Sequence, residues 1–248
     1  MAFRPMAAGM KTAADFYKDA KFKICIQHIS LYEGAGYSNR YLDKNGILCR
    51  YPFGLGKPAL EDDDLDQLQT KTTQQHRKVM PIVLNEYYIR YYKWNYIHLI
   101  KNNIIARCAF DIAINIGNLE AFRDGVNDII PGCIRLNPKL SESERTADIE
   151  KLNTYCQNNN IQDLIENIAF RRIQRHGELF WNWAEYIRKA KAAGEKKLAE
   201  SIAAYTKDHT QSIGNSLLKR SLSMTDGDYR IFHPQKEIDR CWTSWCLI

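Results

Sequence analysis

Apolar residues recur at helical spacing over most of this chain, which predicts a mainly α fold. A capping box in "TAAD" (12–15) starts a pattern that continues as one helix to Glu33, where glycines stop it. Residues 82–101 predict an aromatic helix. Residues 104–116 are apolar nearly all round, which is typical of a helix at the centre of a domain.

The second half of the chain predicts further helices. The segment "SESE" (141–144) supplies helix-starting side chains for a helix over 146–157. The pattern over 161–177 predicts a helix that ends at its final glycine, followed by another over 178–205 that Gly194 would interrupt.

The remaining segments predict one β element and a tail. Short apolar pieces broken by Gly and Pro over residues 37–60 favour a small hairpin or an ordered loop. Residues 1–205 are interpreted as one domain. Residues 206–248 are turn-rich but hold several large apolar side chains, so this tail is expected to pack on the domain or on a partner.

Composition and charge narrow the class of protein. The chain has 248 residues, 45% of them hydrophobic and 26% charged, which is ordinary for a globular protein. Its net charge of +6 favours anionic partners, but no dense basic block indicates nucleic acid. The sequence contains no run of about 18 apolar residues, so it predicts no segment that spans a membrane. The first residues lack the apolar core of a Sec signal, so synthesis in the cytoplasm without one is expected.

Cysteine and histidine spacing predicts no metal and no cofactor. The six histidines and seven cysteines form no CxxC or HExxH pattern, and the GxSxG, GxGxxG and P-loop motifs are absent from the sequence. Cys25 and Cys108 lie on apolar faces and are expected in the core. Cys241 and Cys246 either pair or stay free.

The stretch "YEGAGYSNRYLDKNG" (32–46) is the strongest candidate for chemistry. A carboxylate at the C-terminal end of a helix faces the negative end of the helix dipole, which favours its protonated form, so Glu33 suits a general acid. Asp43 either caps a turn or assists as a second carboxyl group. Tyr37 would stack on a sugar, anchor the loop or fill the core.

Several short motifs, in order along residues 12–192, resemble glycoside hydrolase family 108, the phage-type N-acetylmuramidases. They are "EGAGY" (33–37), Asp43 with Gly46, "FGL" (53–55), "FDIAINIG" (110–117) and "DLIENIAFRRIQRHGELFWNWAEYIRKA" (163–190). An inserted alanine interrupts the first motif. The family also carries a threonine after its double glycine, and by spacing from Asp43 the nearest small polar residue in this chain is Cys49.

The resemblance implies a lysozyme-like helical domain with a small β element beside the cleft and a peptidoglycan-binding part over about 104–192. It implies Glu33 as the catalytic acid, Asp43 as its assistant, and Tyr37, Cys49 and Asn115 as substrate-binding residues. Each has a structural alternative: Asn115 could cap its helix, and Glu33 could be a surface carboxylate. Asp111, alone on an apolar helix, is interpreted as a buried structural carboxylate.

The function predicted is hydrolysis of the bond between N-acetylmuramic acid and N-acetylglucosamine in peptidoglycan, by a phage endolysin or a secreted antibacterial effector. The enzyme would reach the periplasm through a holin or a contact-dependent secretion machine. An immunity protein or a component of that machine is then a further partner. Two alternatives stay open: a lytic transglycosylase, and a non-enzymatic basic wall-binding protein.

Overall fold

A computed structural model describes residues 13–33, 39–42, 48–51, 80–81, 83–116, 119–135, 139–194, 196 and 200. The side chains of residues 31–33 and of both strands are outside this description. The predicted tail 206–248, with Cys241 and Cys246, also lies outside it. Among the helices that the structure describes, none combines the length and apolar character that crossing a membrane requires.

The first predicted helix is two helices, α1 (Ala13–Tyr17) and α2 (Ala20–Glu33). The prediction of one continuous helix was wrong because Asp19 caps a new one. Its carboxylate accepts a hydrogen bond of 3.0 Å from the backbone N–H of Phe22, three residues on, as an N-terminal cap does. The C-terminal end of α2 falls at Glu33, as the sequence predicts.

Two short strands follow α2 and pair antiparallel: β1 (Asn39–Leu42) and β2 (Leu48–Tyr51). In their register Tyr41 lies opposite Cys49. Both strands fall within residues 37–60, for which the sequence predicts a small hairpin or an ordered loop.

The aromatic segment before the central helix is helical but irregular. A π-helix (Tyr87–Lys93) is followed by a turn through Trp94 and by a 3₁₀ turn (Ile97–Leu99). Tyr87 and Tyr92 are buried in the core, whereas Trp94 is 66% exposed. The prediction of one uniform helix over 82–101 was therefore wrong. The helix is interrupted at Tyr96, whose φ of 58° is left-handed.

The central helix is α3 (Asn103–Ile116), and its position confirms the prediction of a buried helix. Every side chain from Ile105 to Ala113 is buried. The backbone N–H groups of Ile104 and Ile105 donate to the side chain of Asn102, which caps the helix. Helix α3 contacts α2, the aromatic segment and two later helices, so it forms the centre of the core.

Three helices complete the described fold: α4 (Glu120–Ile129), α5 (Glu142–Asn158) and α6 (Gln162–Ala192). Helix α4 was not predicted, although its buried positions 121, 122, 125 and 126 follow helical spacing. Helix α5 begins after Ser141, which forms the capping box with Glu144.

Helix α6 runs without a break through Gly177, so the predicted helix end there was wrong. A glycine ends a helix where the backbone adopts positive φ; here that residue is Gly194, with φ of 75°, just after α6 ends. Gly177 lies on an exposed face inside the helix. The mainly α class is confirmed for the described residues, whereas the lysozyme-like arrangement stays a prediction.

Candidate active site

The candidate catalytic acid, Glu33, is the last residue of α2. Its backbone position agrees with the sequence prediction, and its side chain lies outside the described part of the chain. Six residues later, at Asn39, the first of the two paired strands begins. Glu33 therefore lies where a rigid helix gives way to a short β element.

Helix α2 is anchored in the core from Phe22 to Ile29, four residues before Glu33. Phe22, Cys25, Ile26 and Ile29 are fully buried at helical spacing, and α2 packs against the central helix α3. The ring of Phe22 contacts that of Phe110 in α3 edge-on, with centroids 5.9 Å apart. Burying each such side chain stabilises the fold by roughly 1.5–3 kcal/mol, so this part of α2 is held in place against α3.

A buried charged cluster links α2, α3 and α6. Its centre is Asp111 of α3, whose carboxylate lies 2.8 Å from the guanidinium of Arg172 in α6 and 3.7 Å from Nδ1 of His28 in α2. All three side chains are completely buried. A group that acts on a polymer must be reachable, so this cluster is structural, as the sequence predicts for Asp111. Because a carboxylate buried without a counter-charge is costly, the cluster fixes how the three helices pack together.

His28 places the cluster on the same helix as the candidate acid. It precedes Glu33 by five residues, or about 7.5 Å along the axis of α2. Rotation or sliding of α2 would separate His28 from Asp111. The charged cluster therefore helps to set the position of the helix end.

The other predicted site residues are placed only in part. Tyr37 and Asp43 lie outside the described residues, and of Cys49 only the backbone, in β2, is described. Asn115 lies in the last turn of α3 and is half-buried. Its Oδ1 atom is buried and has no hydrogen-bond partner among the described residues. Of the predicted site residues, only Asn115 has its side chain in the described part of the chain.

The cysteines in the described core are inert in character. Cys25 and Cys108 are both buried in the core. Burial raises the pKa of the Cys108 thiol to about 12 and raises the pKa of the Cys25 thiol further. Within the described ranges, no group of three or more His, Cys, Asp and Glu side chains could hold a metal ion.

Sequence reasoning missed Arg172 as the partner of Asp111, although a signal was present. Position 172 continues the buried spacing of residues 165, 168 and 169 along α6, so an arginine there points into the core. A lone aspartate on an apolar helix requires such a counter-charge. Pairing the two anomalies would have predicted the contact between α3 and α6.

No protein-family model, no curated protein and no solved structure matches this chain.

Proposed function

We propose that this protein is a peptidoglycan hydrolase of the muramidase type, with Glu33 as its general acid. The observation that carries the proposal is that α2 ends at Glu33 and is anchored in the core by its whole buried face. A general acid has to be held within hydrogen-bond reach of the oxygen that it protonates. The end of an anchored helix, six residues before the first of two paired strands, supplies such a support for a cleft.

The proposed reaction is the hydrolysis of a glycosidic bond. Glu33 gives its proton to the leaving oxygen. A water molecule adds to the sugar carbon and loses a proton, so the reaction consumes one water and no net proton. Asp43 orients or deprotonates that water, or stabilises the positive charge that develops at the sugar carbon. The dipole of α2 favours the protonated form of a carboxyl group at its C-terminal end, which is the form that the reaction needs.

The substrate-binding roles proposed for Tyr37, Cys49 and Asn115 differ in their support. Asn115 has an observation of its own: its buried oxygen receives no hydrogen bond from the described residues, and a sugar hydroxyl or amide group could donate one. Tyr37 and Cys49 rest on the resemblance to the family alone. The net charge of +6 supports attraction to the anionic wall polymer.

The test is the clearing of purified peptidoglycan by Glu33→Gln. This change keeps the shape of the side chain and removes its acidic proton, so we expect activity to fall at least about 100-fold while circular dichroism stays unchanged. The control is Glu142→Gln, an exposed glutamate in the first turn of α5, which should clear at the normal rate. Normal clearing by folded Glu33→Gln protein would reject the proposed acid.

Mass spectrometry of the products separates the proposal from its alternatives. Hydrolysis adds one water to each cleaved strand, whereas a lytic transglycosylase leaves an anhydro sugar end. A wall-binding protein without activity would retain sacculi and release no fragments, in both the wild type and the variant. We expect fragments with ordinary reducing ends.

A further inference from the structure

A cavity of about 270 Å³ lies between the aromatic segment, α4 and α5. Its apolar lining comes from Ile100, Leu119, Phe122, Ile134 and Ile149. In other proteins an apolar cavity of roughly 150 Å³ holds one benzene ring, so this cavity has room for the two fused rings of an indole. None of the described residues that line it belongs to α2 or to the β hairpin, so it is separate from the proposed catalytic helix end.

The arginines of the cavity wall are all engaged by neighbouring groups. Arg123 forms an ion pair of 2.6 Å with Asp124, the residue that follows it. Arg135 forms one of 3.0 Å with Asp148. The Arg145 guanidinium lies 5.8 Å from the centroid of an aromatic ring in the wall and donates a hydrogen bond of 3.3 Å to a backbone carbonyl oxygen. Because these charges already have partners, the cavity favours an uncharged and apolar occupant.

Trp94 forms an open side of this cavity, because it lines the cavity and is 66% exposed. Its ring continues the apolar surface of the cavity outward, and a continuous apolar surface of this kind is typical of an interaction site. Aromatic rings pack favourably on one another in offset or edge-on arrangements. An aromatic side chain that enters past Trp94 would therefore bury apolar surface on both rings.

We propose that an indole of the segment 241–248, "CWTSWCLI", occupies this cavity within the same chain. The segment carries two tryptophans, Trp242 and Trp245, and no charged side chain, which matches the size of the cavity and its satisfied charges. The other three tryptophans of the chain belong to helices or turns that the structure describes, so those elements set their positions.

Two other long stretches lie outside the described residues, and both fit the cavity less well. Residues 1–12 and 52–79 contain no tryptophan. The stretch 52–79 is also held at both ends, between β2 and Met80. It carries "EDDDLD" (61–66), whose charges are costly to bring to an apolar cavity.

The tail is long enough to bring its tryptophans to the cavity. Trp242 follows Gly194 by 48 residues. A flexible chain of that length spans about 35–40 Å on average. A domain the size of residues 1–205 has a radius of gyration of about 17 Å, so every face of it is within reach. Because the tail belongs to the same chain, its effective concentration at the cavity is on the order of 1 mM, which favours it over a separate partner.

Disulfide cross-linking in the full chain tests the proposal, because the tail has its own cysteines beside the two tryptophans, Cys241 and Cys246. Arg123→Cys places a thiol on the cavity wall. The matched control is Arg171→Cys on α6. Both arginines are about one-third exposed and pair with an aspartate at 2.6 Å, but Arg171 does not line the cavity. Each variant is made with Cys241→Ser and with Cys246→Ser, so that the two tail cysteines cannot pair with each other.

After mild oxidation, peptide mass spectrometry should find a tail cysteine linked to position 123 at least about tenfold more often than to position 171, since a disulfide needs Cα atoms within about 7 Å. Replacing both Trp242 and Trp245 by serine should reduce that cross-link at least about tenfold, because it removes the apolar anchor. Replacing both by phenylalanine should retain most of it. Circular dichroism checks the fold of every variant. If Arg123→Cys fails to fold, Asn95→Cys in the aromatic wall of the cavity takes its place.

Any of three results would overturn the proposal. The cross-links at positions 123 and 171 could be equally frequent or both absent, or the serine variant could cross-link as well as the tail with its tryptophans. The third result is a cross-link that joins two chains, seen as a dimer on a non-reducing gel, which would identify a second copy as the occupant. Because no step measures wall cleavage, failure here is distinct from failure of the proposed muramidase function.

Discussion

Asp111 of α3 and Arg172 of α6 form an ion pair of 2.8 Å in which neither side chain has any exposed surface. Next to Arg172 along the same helix, Arg171 forms an ion pair of 2.6 Å with Asp128 of α4, but both of those side chains are about one-third exposed. The same chemistry is thus present at adjacent positions in two very different surroundings. This contrast supports a direct measurement of what burial contributes.

Arg172→Met should lower the free energy of unfolding by about 3–5 kcal/mol, because Asp111 keeps its buried charge and loses its nearest counter-charge. Arg171→Met, the matched control, should cost less than about 1 kcal/mol because water screens the exposed pair. Urea unfolding followed by circular dichroism measures both. Equal losses in the two variants would contradict the structural role of the cluster. The double variant Asp111→Leu with Arg172→Met should recover part of the loss.

Gly125→Ala should destabilise the protein by about 1–3 kcal/mol, since helices α4 and α6 approach each other closely at this glycine. An added Cβ would lie 2.7 Å from the backbone Cα of Ile168, which cannot move without shifting the helix. Gly177→Ala is the control within α6. Outside the adjacent backbone of α6, no atom of the described residues lies within 4 Å of its added Cβ, so the better helix former should stabilise by roughly 0.5–1 kcal/mol. A loss for both variants in urea unfolding would reject the close approach as the cause.

Asp148 should make stability depend on pH in the acid range. Burial by itself raises the pKa of this carboxyl group, but hydrogen bonds from the Arg135 side chain and backbone outweigh it, so the pKa falls below its ordinary value of 3.8. The carboxylate therefore stabilises the fold above that ordinary value, and the contribution is lost as the pH falls below it toward the lowered pKa. Asp148→Asn should cost about 1–3 kcal/mol at pH 7, with the difference from the wild type shrinking below about pH 4.

Glu150→Gln, on the same helix, is the control for Asp148. Glu150 pairs with Lys101 at 3.1 Å, but both side chains are more than half exposed, so the change should cost less than about 1 kcal/mol. Urea unfolding at pH 7 and at pH 3 compares the two variants. A difference between Asp148→Asn and the wild type that is the same at both pH values would contradict the assignment.

Asp43→Asn should lower the rate of peptidoglycan clearing by at least about tenfold, if this carboxylate assists the attacking water as proposed. The exposed Asp163 in the first turn of α6 supplies the control, and Asp163→Asn should clear normally. Turbidity of purified sacculi, with circular dichroism as a check on folding, is the measurement. An unchanged rate would assign Asp43 to the cap of a turn.

The sequence by itself determined the elements that depend on local patterns. Periodicity defined the buried helix α3, because a helix apolar on all sides has no stable place except the centre of a core. The segment 141–144 was predicted to supply helix-starting side chains for a helix over 146–157, and α5 in fact begins at Glu142, directly after the cap of Ser141, whose hydrogen bonds join residues only three apart. The end of α2 at Glu33, the basis of the proposed site, was found for the same local reason.

Tertiary structure decided what local patterns could not express. The sequence predicts a helix end at Gly177, but α6 continues past this residue because it packs against α3 and α4. The pairing of Asp111 with Arg172 joins residues 61 positions apart, and Trp94 lines one cavity with residues of α4 and α5 only in the folded chain. Charges and cavities of this kind depend on which helix faces pack together. That choice is made by the free energy of the whole core, which no short stretch of sequence contains.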